Sequence, residues 1–166
     1  MLTSHELLGF MSPALALEIL TYAHESDKPL YRAALNAVAE ARKLRPVFLE
    51  RQPRAQRHAT MLATLSRPAL DLFTGNLIRN WLLKKHKTML EDFLDALAIQ
   101  HKEGVVEDLP KTMEDAKLQT AVAALLAKYP PEAVAVYLHA FNDMNEVEWP
   151  NLKAMLDSDP RLQLGA

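Results

Sequence analysis

Leucine and alanine fill 53 of the 166 positions, 29 and 24 respectively, whereas valine and isoleucine together fill 11. Strands favour β-branched and aromatic side chains that fit a pleated surface; helices favour alanine and unbranched or γ-branched chains, which lose little rotamer freedom. Four glycines, with no Asn-Gly or Asp-Gly pair, are too few to serve many tight hairpin turns. The chain therefore reads as all-α. A length of this kind fits one domain, expected over 1–156, with 157–166 as a weakly fixed C-terminal tail.

The ten prolines divide the helices. Pro13, Pro29, Pro68, Pro131 and Pro150 stand where a helix can begin, because the first helical residue has no intrahelical use for its N–H. Thr3 with Glu6, Thr88 with Glu91 and Thr112 with Asp115 have the spacing of a capping box. These signals predict about eight helices, near 4–11, 13–25, 29–43, 54–65, 67–85, 88–102, 113–128 and 131–144, with a short turn after Pro150. Three- and four-residue apolar steps support them: Leu70, Phe73, Leu77 and Trp81 form one stripe, and Val134, Tyr137, Leu138 and Phe141 another. The first stripe keeps its phase through Gly75, which predicts one helix with a close contact there. Pro46 to Pro53 reads as a helical turn or an extended segment, and Gly104 to Lys111 as a connector with Gly104 stopping a helix. The expected architecture is a single compact bundle of antiparallel and orthogonal pairs. PALAL at 13–17 and PALDL at 68–72 leave solenoid-like stacking as the lesser alternative, since their spacing matches no standard repeat.

The net charge of −2 hides a strong segregation. Residues 1–41 hold two basic and five acidic residues, 42–87 eleven basic and two acidic, and 88–166 six basic and fourteen acidic. Arg42, Arg45, Arg51, Arg54, Arg57 and His58, then Arg79, Lys84 and Lys85, are the anion- or partner-binding candidates. Arginine offers a planar fork of donors suited to phosphate oxygens, and Arg54, Arg57 and His58 share a helix face at i, i+3, i+4. The same block also reads as a solvated face, or as the counterpart of the acidic C-terminal half. Tyr137, Phe141 and Trp149 would anchor a protein partner if they share a surface, although helical spacing equally places them in a core.

Chemistry is sparse. With no cysteine, disulfides, thiolate metal sites and cysteine nucleophiles are excluded. None of the six histidines falls in HExxH, and no GxSxG, GxGxxG or phosphate-loop motif occurs. Paired carboxylates such as Glu91-Asp92 are adjacent, which on a helix points them apart. No catalytic residue, cofactor or metal is expected. The first ten residues carry no basic lead-in to an apolar run, and the longest apolar run, Ala121 to Ala127, is far short of a membrane span, so a soluble cytoplasmic protein is expected. The first functional expectation is a non-enzymatic protein–protein interaction or adaptor module, with a protein partner or self-association. The alternatives are a nucleic-acid-associated protein that binds phosphate backbone through 42–87, and a helical small-ligand carrier or enzyme with a pocket between helices.

Overall fold

The computed structural model describes residues 2–165. Ten α-helices are present and no strand occurs among the described residues, so the fold is all-α. The backbone divides into two compact units, Thr3–Trp81 and Leu82 onward, each described by itself below.

The N-terminal unit contains α1 (Ser4–Phe10), α2 (Pro13–Ser26), α3 (Lys28–Ala41), α4 (Pro46–Arg51), α5 (Arg54–Leu65) and α6 (Asp71–Asn80), with a 3-10 turn at Pro68–Leu70. Helix starts follow the expected chemistry. The Thr3 N–H donates to Glu6 Oε2 at 2.9 Å, Ser12 Oγ accepts from the Leu15 N–H at 3.2 Å, and Asp27 Oδ1 accepts from the Leu30 N–H at 3.1 Å. Helix α3 is the hub: it packs on α2, α4, α5 and α6 through Tyr31, Ala34, Leu35, Ala37, Val38 and Ala39. Packing around one helix differs from the neighbour-to-neighbour stacking of a solenoid. Gly75 lies inside α6, as its stripe predicts; a Cβ there would stand 3.0 Å from Ser4 Oγ, so the missing side chain lets α1 and α6 approach.

Two helix ends depart from the expected ones. Helix α3 ends at Ala41 rather than at 43, because Lys43 adopts φ 57° and the Leu44 N–H bonds back to the Ala39 carbonyl at 2.8 Å. That is a Schellman turn made without glycine. It throws the chain outward into α4, so the Pro46–Pro53 stretch is helical over 46–51.

The C-terminal unit contains α7 (Lys87–Ala96), α8 (Asp115–Lys128), α9 (Pro131–Asn145), α10 (Pro150–Ser158) and a 3-10 turn at Pro160–Leu162. A single π-turn, Trp81–Lys85, precedes α7. Helix α7 ends earlier than predicted, because Ala98 takes φ 56° and the Ile99 N–H closes on the Leu94 carbonyl at 2.9 Å. Gly104, with φ +84°, instead turns a short loop in which Lys102 and Val105 pair. Thr88 and Thr112 do not cap: α7 begins one residue before Thr88, and α8 begins at Asp115 with Glu114 as its N-cap. Helix α9 is buried all round over Ala133 to Asn142, a run broken in polarity only by His139 and Asn142. The expected tail is partly built in: Leu162 is fully buried, and its carbonyl accepts from His139 Nε2 at 3.0 Å. No helix among the described residues is long and apolar enough to cross a membrane.

Candidate functional site

A cavity of about 270 Å³ opens in the N-terminal unit where α2, α3, α4 and α5 meet. His24 comes from α2, Lys28, Tyr31, Arg32 and Leu35 from α3, Glu50 from α4 and Arg57 from α5. The α3 residues recur at i, i+3, i+4 and i+7, which sets them on one face of the helix. Behind them, His58 is 1% exposed. The rings of His24, Tyr31 and His58 form a triangle with centroid separations of 4.4, 5.4 and 5.6 Å.

The hydrogen bonds in this cluster run one way. Arg57 Nε donates to the Tyr31 hydroxyl at 2.9 Å, and a guanidinium has no alternative to donating. Tyr31 keeps its own O–H to donate, and His58 Nε2, also at 2.9 Å from the hydroxyl oxygen, accepts it in the tautomer protonated at Nδ1. Burial, aided by the Arg57 charge, by His24 and by Arg54, pushes His58 down to about 4. Burial and then the Arg54 and Arg57 charges also lower His24, whose buried Nδ1 has no hydrogen-bond partner. Burial raises Tyr31 above the ordinary phenol range. At neutral pH both imidazoles and the phenol are uncharged, and the cations around them set the local field.

That field is positive. Arg32 pairs with Glu50, and Arg54 Nη2 lies 3.4 Å from Glu25 Oε1. Among the described residues, Arg57 donates to the Tyr31 hydroxyl and, through Nη1, to the Glu50 carbonyl at 3.2 Å. Lys28 makes no ion pair among the described residues. Four cations thus face two carboxylates, and Lys28 and Arg57 are the pair in excess.

The sequence-predicted basic residues separate into three groups. Arg54, Arg57 and His58 do share a face of α5, but only Arg54 is exposed; Arg57 is half-buried and His58 belongs to the core. Arg42, Arg45 and Arg51 stand exposed around the α3–α4 corner. Arg42 Nη1 donates to Thr64 Oγ1 at 3.2 Å, and none of the three forms an ion pair among the described residues. Arg79 is exposed on α6, while Lys84 and Lys85 are exposed on the π-turn assigned to the C-terminal unit.

The aromatic candidates require a correction. Tyr137, Phe141 and Trp149 are 1%, 0% and 0% exposed. With Phe93 they form one stack, with centroids 5.0–5.8 Å apart, and Trp149 Nε1 donates to the Pro110 carbonyl at 2.8 Å. Ring burial this complete places them in the core of the C-terminal unit, not on a partner-facing surface.

Sequence reasoning missed two things. One is the cavity's α3 side, whose signal was the Lys28, Tyr31, Arg32, Leu35 spacing. The other is the exposed apolar corner of Leu44, Val47 and Phe48, at 38%, 38% and 55% exposure. A wider groove, of about 1150 Å³, lies in the C-terminal unit along the connector between α7 and α8. It is an open trough, and the one imidazole in it is committed: His101 Nε2 binds Asp95 at 2.7 Å and its Nδ1 accepts the Gly104 N–H at 3.2 Å. No set of His, Asp and Glu side chains among the described residues is placed to hold a metal ion. No protein-family model matches the chain, and comparison with curated proteins and with solved structures finds no match.

Proposed function

We propose that the protein is a non-enzymatic interaction module that docks an acidic protein surface through the α3–α4 corner of its N-terminal unit. The observation that carries this reading is the composition of that corner. Leu44, Val47 and Phe48 are large apolar side chains left in water within five residues, and Arg42, Lys43, Arg45 and Arg51 surround them in sequence. Apolar anchors ringed by arginine match the chemistry of binding hot spots. The unpaired guanidinium groups favour a negative partner and speed its encounter.

Charge complementarity makes a second copy of this chain the first partner to test. The N-terminal unit, Thr3–Trp81, holds ten basic and seven acidic residues, while residues 82–166 hold nine basic and fourteen acidic, giving +3 against −5. Sedimentation velocity at low and high salt measures the association directly. Self-association that weakens with salt and with Arg45→Glu or Phe48→Ser supports the reading. A chain that stays monomeric at low salt removes the self-association form. A labelled Glu- and Leu-rich peptide that also fails to bind removes the whole reading. The phosphate-backbone alternative has less support, because His58 and most of Arg57 are withdrawn from the face that was to track it.

A further inference from the structure

The cavity on α3 has a chemistry separate from the corner, and neither Lys28 nor Arg57 belongs to that corner. We infer that it is a binding site for a small organic anion, a compact apolar body carrying a carboxylate or phosphate head. Its volume of about 270 Å³ sits just under the ordinary range for ligand pockets. At ~30 Å³ of liquid volume per water it equals about nine waters, the scale of a one-ring molecule.

The walls divide the ligand's recognition in two. Leu35 and the rings of Tyr31 and His24 supply the apolar side. The head is met by the two cations in excess. Arg57 is fixed in place because its Nε is tied to Tyr31 and its Nη1 to the Glu50 carbonyl, so it loses little freedom on binding. It lacks a carboxylate partner, which an incoming anion supplies. Lys28 stands exposed on the same face of α3 and adds a flexible second charge. Glu50 and Glu25, the carboxylates that would repel an anion, are each engaged by Arg32 and Arg54. His24 lines the cavity on the side facing Tyr31, their ring centroids 4.4 Å apart.

The neutral shape control is benzamide, set against benzoate and phenyl phosphate as the two head groups, each titrated by amide chemical-shift mapping on the full chain. Benzoate or phenyl phosphate is expected to shift the resonances of His24, Tyr31, Leu35 and Arg57 saturably. The tighter of the two identifies the head, and benzamide is expected to give no saturable shift. Arg57→Met is expected to weaken the anion at least about tenfold, the loss of a charge-assisted hydrogen bond. Arg57 also supports Tyr31, so Lys28→Ala provides a second variant, exposed and without an ion pair among the described residues, with an expected weakening of about two- to fivefold. Absence of saturable shifts with millimolar benzoate and phenyl phosphate overturns the inference. Equal binding of benzamide, or unchanged affinity in both variants, overturns it as well.

Discussion

In the C-terminal unit ten successive residues of α9 are buried and its aromatic rings interlock, whereas in the N-terminal unit the hub helix α3 buries six of 14 residues. The large apolar side chains left exposed follow the same division. Phe10, Leu17, Leu44, Val47, Phe48 and Leu72 belong to the N-terminal unit, and Val105 alone to the other. The N-terminal unit also encloses the Tyr31–His58–Arg57 chain and keeps cations unpaired at its surface. One unit has committed its aromatic and apolar groups to internal packing. The other holds back both apolar surface and charge, and those are the properties recognition requires.

Truncating the aromatic stack is the harshest way to break this contrast. Phe141 is fully buried, with Phe93, Tyr137 and Trp149 at 5.5, 5.8 and 5.0 Å between ring centroids. Phe141→Ala leaves a cavity among rings that are already edge-packed and cannot collapse freely. The expected loss is about 3–5 kcal/mol, read as a lowered urea midpoint. A loss under about 1 kcal/mol would contradict the description of α9 as a closed core.

Acid tests the N-terminal unit next. His58 titrates near 6.5 when unfolded and at about 4 when folded, so the folded state holds fewer protons between those values. The stability it contributes is complete above pH 6.5 and is lost as pH falls toward 4, up to about 3 kcal/mol at 1.36 kcal/mol per unit. The groups facing it all act in the same direction: Arg57, Arg54 and His24 oppose its protonation, and His24 is itself lowered by burial. Burial also lowers His139 in the C-terminal unit, although its Nε2 bond to the Leu162 carbonyl opposes the shift. His58→Gln retains an acceptor for the Tyr31 proton and removes the titration. Urea unfolding at pH 7, 5 and 4 is expected to show a flatter dependence in His58→Gln than in His139→Gln. The reverse order would refute the assignment of the acid-sensitive burial to His58.

Sequence reasoning reached the helices because their signals are local. Proline at a first turn, the Thr3–Glu6 capping box and a three- and four-residue stripe act within a few residues of the structure they specify. Gly75 was legible for the same reason, since the stripe keeps phase across it. The ends of α3 and α7 were not, because Lys43 and Ala98 take the left-handed conformation that glycine usually holds. Nothing local to either residue signals that choice. The site was legible by half. The i, i+3, i+4 spacing placed Arg54, Arg57 and His58 on one face, but which of them meets water depends on Tyr31, 27 residues from His58 in the chain. Likewise the Tyr137 and Phe141 spacing fits core and surface alike until Phe93 and Trp149 are seen to close over them.

The finest test compares two neighbours on α4. Leu49 is 0% exposed and Phe48 55%. A helix of six residues has little stability of its own, so Leu49 holds it to α3. Leu49→Ala is expected to cost about 2–5 kcal/mol. Phe48→Ser removes a ring that is more than half in water already and is expected to cost about 1 kcal/mol or less. If the exposed ring serves recognition, the ranking inverts in a binding assay: at a concentration where both variants remain folded, Phe48→Ser loses the acidic partner and Leu49→Ala retains it. A Phe48→Ser cost as large as that of Leu49 would make the ring a packing element of α4, and the corner would lose its claim to be a surface kept for a partner.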